Sequence, residues 1–572
     1  MIVSKAAIFV ILPEEPAYMN PRIPKLLLYL LGGLLVLNLI QASLTELIFD
    51  EAYYWQFAKE LAWGYFDHPP MVAWITALSG FLFNGELGVR FVSCLLTIGT
   101  MVLLWVMIDD QKKNDYVIYF FVLAFSMTLL NAYGFLTLPD SPLLFFTALF
   151  LWVYKKFLDK TSLARALVLG IVMACMMYSK YHAILVIIFV LASNIKLVTN
   201  KYAWAAVACA LFFYIPHFFW LFESDFVGVK YHLFERPSYG YDFNDNTLSF
   251  FLNLLALFGF TFPFIYYSLY KTRPTDKFTR ALVFLSYGFI LFFFISSFTR
   301  LVQAQWLVVI SIPLVILVFN RMLVDDNTRK WVYRLGILNI VILIFLRIGL
   351  VYEEVFPIHY ESHGNKKWTS ELHSKIGDMP IVFENSYRRA PMYSFYTGIE
   401  TYSLNNLFYR KNQYSLDQSE AKVRHERVLY VSEYLEEGDV EYTQGDGKIL
   451  LGRFVDDFES FRKLKCEVEQ KSYAPGSDEK VGLKVFNPYG FDIDLRKIQF
   501  GLVYLDKYKK VIEIYDLKTV QPVKKISVLK SNETTEFTFE LPRMVFNPTY
   551  LRVGISENGW PYGLNGEAQK IK

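Results

Sequence analysis

The chain has 572 residues, 54% hydrophobic and 18% aromatic, with 57 Lys and Arg against 54 Asp and Glu and a formal charge of +3. Charged residues make up 19%, below the roughly 25% of soluble domains, and no basic excess marks a nucleic-acid face. Disordered, collagenous and coiled-coil chains are excluded, which leaves a polytopic α-helical membrane protein carrying a polar region.

Near the start, the apolar stretch 6–12 is brief and leads into Pro13, Glu14 and Glu15, so it does not read as a signal peptide. The lengths of the apolar runs predict about eleven spans. They are 26–44, 91–108, 116–131, 142–154, 164–178, 182–197, 202–222, 248–270, 281–298, 301–319 and 331–351. The run 71–83 is too short to span and suits an interfacial helix inside one large loop, 45–87. One set of loops holds most of the basic residues, among them Lys155, Lys156, Lys160 and Arg165, then Lys271, Arg273, Lys277 and Arg280. The opposite loops hold only Lys59, Arg90, Lys180, Lys230, Arg236 and Arg300. The excess of Lys and Arg inside puts the N-terminus in the cytoplasm and everything after residue 351 outside.

Three domains are expected: a transmembrane domain over residues 1–351, an external α/β domain over residues 352–459 and a β-sandwich of immunoglobulin type over residues 460–572. The α/β domain shows strand patterns at 380–384, 400–404 and 428–432, with a helix over 387–396. The last domain alternates at 464–468, 481–486, 498–505, 534–539 and 550–555. Cys94, Cys175 and Cys209 sit in apolar runs, and Cys466 has no partner in the tail, so no disulfide or metal knuckle is read there.

Chemistry concentrates on the external side. Asp50 and Glu51 follow the first span and open an aromatic run, Tyr53, Tyr54, Trp55 and Phe57. The pair reads either as a helix cap or as a catalytic carboxylate. Asp67 and His68 precede Pro69 and Pro70, a rigid turn that would hold a carboxylate–imidazole pair at the surface. Asp140 alone reads as a cap, and Lys180 alone as a snorkelling cation. Yet acidic Asp50, Asp67 and Asp140 and basic Lys180, Arg236 and Arg300 all fall on one membrane face, which favours a site.

The same residues carry a resemblance. The stretches FDEAYYWQFAKELAWGYFDHPPM, GELGVRFVS around Arg90, TLPDSPLLFFTALFLW around Asp140 and MMYSKYHAIL around Lys180, with a weaker NSYRRAPMYSFYTG around Tyr387, resemble bacterial membrane glycosyltransferases. These are related to protein O-mannosyltransferases and to the lipid A aminoarabinose transferase; they have the GT-C fold and use polyprenyl-phosphate-linked sugars. The resemblance implies that Asp50 is the essential carboxylate, with Glu51 beside it, that Asp140 completes the acidic site and that Lys180 faces the carrier phosphate. Asp67, His68, Arg90, Arg236, Arg300 and Tyr387 are the further expected donor-phosphate and substrate contacts. His68 stands where the lipid A enzyme has Lys. The use of a divalent cation is left open; one would sit on Asp50 and Asp140. The expected reaction is an inverting single displacement from the carrier to a hydroxyl of an envelope lipid, glycan or protein, at the outer face of a bacterial inner membrane. A transporter of lipid-linked sugars would instead place ionisable groups at the bilayer midplane, and a non-catalytic scaffold leaves the acid cluster unexplained. Residues 460–572, without an acid–base cluster, are expected to be dispensable for the chemistry.

Overall fold

The fold was analysed in a computed structural model, which describes residues 23–235, 240–355, 358–469, 480–542 and 548–571. The stretch 6–12 and Arg236 lie outside the described residues.

The first half is helical: α1 (Lys25–Leu44), α2 (Phe49–Lys59), α3 (Met71–Leu82), α4 (Gly85–Met107), α5 (Val117–Phe125), α6 (Thr128–Ala132), α7 (Asp140–Asp159), α8 (Leu163–Ser179), α9 (Ala183–Ser193) and α10 (Lys201–Glu223). Among the described residues, seven helices are long and apolar enough to cross a membrane: α1, α4, α7, α10, Lys277–Ser297, Ala304–Val324 and Asp326–Val351. The expected count of eleven is not reached. The run 116–131 breaks at Ser126 and Met127 into α5 and α6, and α8 and α9 are shorter apolar helices. The run 248–270 is split into Phe243–Ala256 and Gly259–Lys271, bent by 96°. Gly259 takes φ +51° at that bend, and Asn339 satisfies the freed backbone, accepting from Phe260 N at 2.9 Å and donating to Phe258 O at 2.8 Å. The 71–83 run is helical as expected, as α3.

Short connections make successive helices antiparallel. The end of α1, the starts of α4, α7 and α9 and the end of α8 therefore meet at one end of the bundle. On that end sits a five-stranded sheet of β1 (Ile381–Glu384), β2 (Thr401–Leu404), β3 (Val428–Ser432), β4 (Val440–Thr443) and β5 (Ile449–Val455), ordered β2-β1-β3-β5-β4. β1 pairs in parallel with β2 and β3, whereas β5 runs antiparallel to β3 and β4.

The remaining strands are β6 (Lys465–Val468), β7 (Lys480–Phe486), β8 (Ile493–Asp494), β9 (Ile498–Leu505), β10 (Val511–Asp516), β11 (Gln521–Pro522), β12 (Val528–Leu529), β13 (Thr534–Glu540), β14 (Tyr550–Glu557) and β15 (Gln569–Lys570). They form two four-stranded sheets, β10-β9-β14-β15 and β11-β13-β7-β6, and a two-stranded pair, β12-β8, around a core that includes Leu483, Val485, Leu502, Phe537 and Val553. The sandwich is stitched to the α/β sheet. Leu407 N donates to Tyr562 O at 2.9 Å, Trp560 packs into the α/β core with its ring 4.7 Å from Tyr430, and Tyr489 donates to buried Glu420 at 2.6 Å.

Candidate active site

Helix α2 follows the end of the apolar helix α1. Its acids Asp50 and Glu51 suit the positive end of the helix dipole. Adjacent helical residues point about 100° apart, and here that angle separates their roles. Glu51 turns inward and is fully buried against Arg90. Arg90 Nε and Nη2 donate to its two carboxylate oxygens at 2.8 and 2.5 Å, and Thr137 N and Ile48 N donate at 2.8 and 3.3 Å. The rest of the guanidinium bonds the carbonyls of Ala42, Thr45 and Glu46 at 3.1, 2.5 and 3.0 Å. Every lone pair and donor is used within the protein. The expected catalytic role of Glu51 and the expected substrate contact of Arg90 are therefore corrected: neither lines the cavity, and together they bracket the turn between α1 and α2.

Asp50 turns the other way, into a cavity of about 190 Å³. Asp67, His68, Asp140, Lys180 and Tyr387 line it as well. Six of the sequence-derived residues are thus brought together. Arg300 is exposed and outside this lining, which removes it as a cavity cation, and Arg236 lies outside the described residues.

No hydrogen bond or ion pair to the Asp50 carboxylate is present among the described residues. Burial raises its pKa above the usual carboxylate range, opposed by Arg388 and reinforced by Asp67. Asp67 behaves differently. Burial would raise it, but His68, Arg410 and His232 outweigh that and hold it below its ordinary value. An ionised carboxylate only accepts, so His68 carries its proton on Nδ1 and donates to Asp67 Oδ1 at 3.1 Å. His232 Nε2 donates to the Asp67 carbonyl at 2.8 Å. The turn itself is fixed by Tyr65, whose ring stacks on Phe57 at 4.3 Å and whose hydroxyl donates to Phe57 O at 3.0 Å. A Cβ at Gly64 would meet the Trp220 ring at 2.2 Å and force that ring to move.

Asp140 opens α7 and Lys180 closes α8. Lys180 Nζ donates to both Asp140 oxygens at 2.8 Å, and both side chains are nearly buried. Lys180 is therefore not the lone cation that the sequence indicated but half of an ion pair. The same contact bears on a divalent cation. With an ammonium on both oxygens of Asp140, the Asp50 and Asp140 set does not offer the several oxygens that Mg²⁺ or Ca²⁺ needs, so the donor set does not fit one and no step is assigned to it.

The sequence missed what the tail contributes. Arg410, in the loop after β2, lies 3.8 Å from Asp67 Oδ2 and 4.6 Å above the Tyr387 ring. Tyr387 in turn packs edge-on to Tyr53 at 4.9 Å. The Tyr53 hydroxyl accepts from Gln413 N at 2.9 Å, and Gln413 Oε1 accepts from Phe66 N at 3.0 Å. His182, His232, Gln303, Gln305 and Trp306 complete the wall. The available signal was the basic dipeptide Arg410–Lys411 after Tyr409, which is unremarkable in a polar tail.

The crystal structure of ArnT from Cupriavidus metallidurans in the apo state superposes with a TM-score of 0.54 at 12% identity, covering 75% of this chain and 98% of ArnT. The form bound to undecaprenyl phosphate gives 0.53 at 13% identity, with the same coverage of both chains. The chain has the fold of the GT-C membrane glycosyltransferases. Residues 67–220 of this GT-C chain match the family described as dolichyl-phosphate-mannose-protein mannosyltransferase. A curated relative, the lipid A galacturonosyltransferase RgtD of Rhizobium johnstonii, is 27% identical over 285 residues, which is 46% of this chain and 58% of that protein. The match thus spans a little over half of the relative's length.

Proposed function

We propose that the chain is a membrane glycosyltransferase that moves a sugar from a polyprenyl-phosphate carrier to a hydroxyl of an envelope acceptor at the outer face of a bacterial inner membrane. The observation that carries this reading is the Asp50 carboxylate: desolvated, unpartnered among the described residues and facing a cation-lined cavity where the apolar helices end. The carrier's tail stays in lipid, and its phosphate reaches the level of Lys180, His68 and Arg410. The fold shared with a protein crystallised with undecaprenyl phosphate supports the same donor class.

In the reaction, the acceptor oxygen attacks the anomeric carbon while the bond from that carbon to the phosphate oxygen breaks. Configuration inverts, and the carrier phosphate leaves with the bonding pair. Asp50 takes the hydroxyl proton, and its raised pKa makes it a stronger base than an exposed carboxylate. Lys180, Arg410 and the His68 N–H offset the charge that grows on the leaving phosphate. Asp140 positions Lys180, and Asp67 positions His68. On this reading residues 1–351 hold the donor, 352–459 roof the site and 460–572 act on the acceptor.

Purified full-length protein in detergent, given a polyprenyl-phosphate-linked sugar and an envelope extract, should release free carrier phosphate and label an acceptor. A transporter would move the same donor between vesicle faces without cleaving it. Absence of cleavage by folded wild-type protein across acceptors would refute the transferase reading.

A further inference from the structure

A second cavity, of about 380 Å³, adjoins the first and shares Tyr231 and Arg410 with it. Its walls come from the 407–411 loop, the β9–β10 turn, Arg552 on β14 and the segment near Leu564 and Gly566, with Glu235 at one side. Five cations, Arg410, Lys411, Lys509, Lys510 and Arg552, face one lining carboxylate, Glu235. Arg552 Nε is buried with no hydrogen-bond partner among the described residues. Lys509 donates to a carbonyl, Phe234 O, at 2.6 Å, which leaves two further ammonium hydrogens. The nearby acid Glu567 is held by Lys230 at 3.1 Å. Burial pushes the Lys411 ammonium down, with Glu235 opposing and Arg552 adding to the effect. Concentrated, desolvated positive charge of this kind is costly unless an anion enters.

The anion is not the donor's. None of the lining residues belongs to a helix long enough to span a membrane, whereas the first cavity is walled by the ends of α7 and α8. A phosphate tethered to a membrane-embedded polyprenyl tail belongs at those helix ends. The second cavity instead opens into the sandwich, and Tyr409 and Tyr508 line it, supplying the aromatic surface and hydroxyls that a carbohydrate requires.

We infer that the sandwich completes an acceptor subsite, binding a phosphate or carboxylate group carried by the acceptor glycan so that a neighbouring hydroxyl is delivered toward Asp50. This rests on the glycosyltransferase reading above, and the test is chosen to be separable from it. Full-length protein in detergent is titrated with glucose 6-phosphate, with glucuronate and, as a neutral control, with glucose, at two ionic strengths. Either anionic sugar should bind, more weakly at high salt, and glucose should not. The preferred anion identifies the group on the acceptor. Lys411→Gln and Arg552→Gln should each weaken binding about tenfold or more, the loss of one charge-assisted bond. Lys484→Gln, an exposed sandwich cation paired with Glu469 at 2.7 Å, should leave it as in the wild type. Should Arg552→Gln fail to fold by melting temperature, Lys509→Gln replaces it. Equal binding of glucose, no binding of either anion, or unchanged affinity in folded Lys411→Gln and its partner variant would overturn the inference. The titration needs no turnover, so a wild type inert toward donor would sink the proposed function while the anion result still reads the cavity.

Discussion

Replacing Glu51 by Gln takes away the carboxylate that receives the buried Arg90 guanidinium. Both side chains are fully buried, and Glu51 accepts four hydrogen bonds, two from Arg90 and one each from Thr137 N and Ile48 N. Gln keeps the shape and one acceptor oxygen but turns an amide donor toward a cluster made entirely of donors. Removing one partner of a buried pair costs about 3–5 kcal/mol, because the other charge remains without its counter-charge. The thermal midpoint of Glu51→Gln in detergent should therefore fall well below wild type, while the protein that is folded at low temperature keeps transferring sugar. Removing both charges, as Glu51→Met with Arg90→Met, should recover only the part of the loss due to the uncompensated charge, because the carbonyls of Ala42, Thr45 and Glu46 and the N–H groups of Thr137 and Ile48 then lose their partners; the cycle of single and double variants gives the coupling. A Glu51→Gln protein with wild-type melting and no transfer would refute this reasoning and make Glu51 a group that acts on substrate.

Asp50→Asn should behave in the opposite way. Transfer should fall on the order of a hundredfold or more, while stability holds or rises, since a carboxyl raised in the folded state destabilises that state once ionised at neutral pH; wild-type transfer in this variant would remove the assignment. The same raised pKa predicts that the acid limb of the pH–rate profile lies above the ordinary carboxylate range of about 4, and a limb at or below that range would contradict it. Asp67 has the reverse sign: its lowered pKa contributes stability that is present above about pH 4 and lost as pH falls through the folded value. Asp67→Asn should flatten that acid loss in a pH series of melting temperatures. Lys180→Ala should weaken donor binding and also destabilise, because Asp140 is left nearly buried without its ammonium; adding Asp140→Asn should restore stability but not donor affinity. Ending the chain after Asp457 should lower activity and stability together, since it opens the slot of Trp560 and strips Tyr489 from Glu420; full donor turnover in a stable truncation would return residues 460–572 to the dispensable role read from sequence.

The sequence was most legible where one physical signal dominates. Long apolar runs located the helices, and alternation located β7, β9, β13 and β14. Span counting failed at the 248–270 run because the break depends on Asn339, far along the chain, receiving the freed backbone. Strands β4 and β10 escaped notice because β4 carries only two buried side chains, Val440 and Tyr442, and β10 lacks a buried face. Within the site, Asp50, Asp67, Asp140 and Lys180 could be read because each lies close to an apolar run. The divergence of Asp50 from Glu51 could not, since it depends on which way α2 is rolled, and that is set by Arg90. Arg410 was invisible for a related reason: it meets Tyr231 and Asp67, both far away along the chain, and Tyr387, and its loop is anchored through Leu407 on β9 and the segment near Leu564.

That anchoring also orders events during synthesis. The 407–411 loop is held by packing of Leu407 against Val503, Leu505 and Leu564 and by the carbonyl of Tyr562. A ribosome adding about 5–20 residues per second needs about 8 to 30 seconds to pass from Arg410 to Leu564. By then the helical half, with the carboxylates of α2 and α7, has already been made. Lys180 and His68 are held within the helical half by Asp140 and Asp67, but the loop that carries Arg410 lacks its sandwich contacts until those strands form. The Arg410 side of the cavity is therefore the last part of the site to gain its full support.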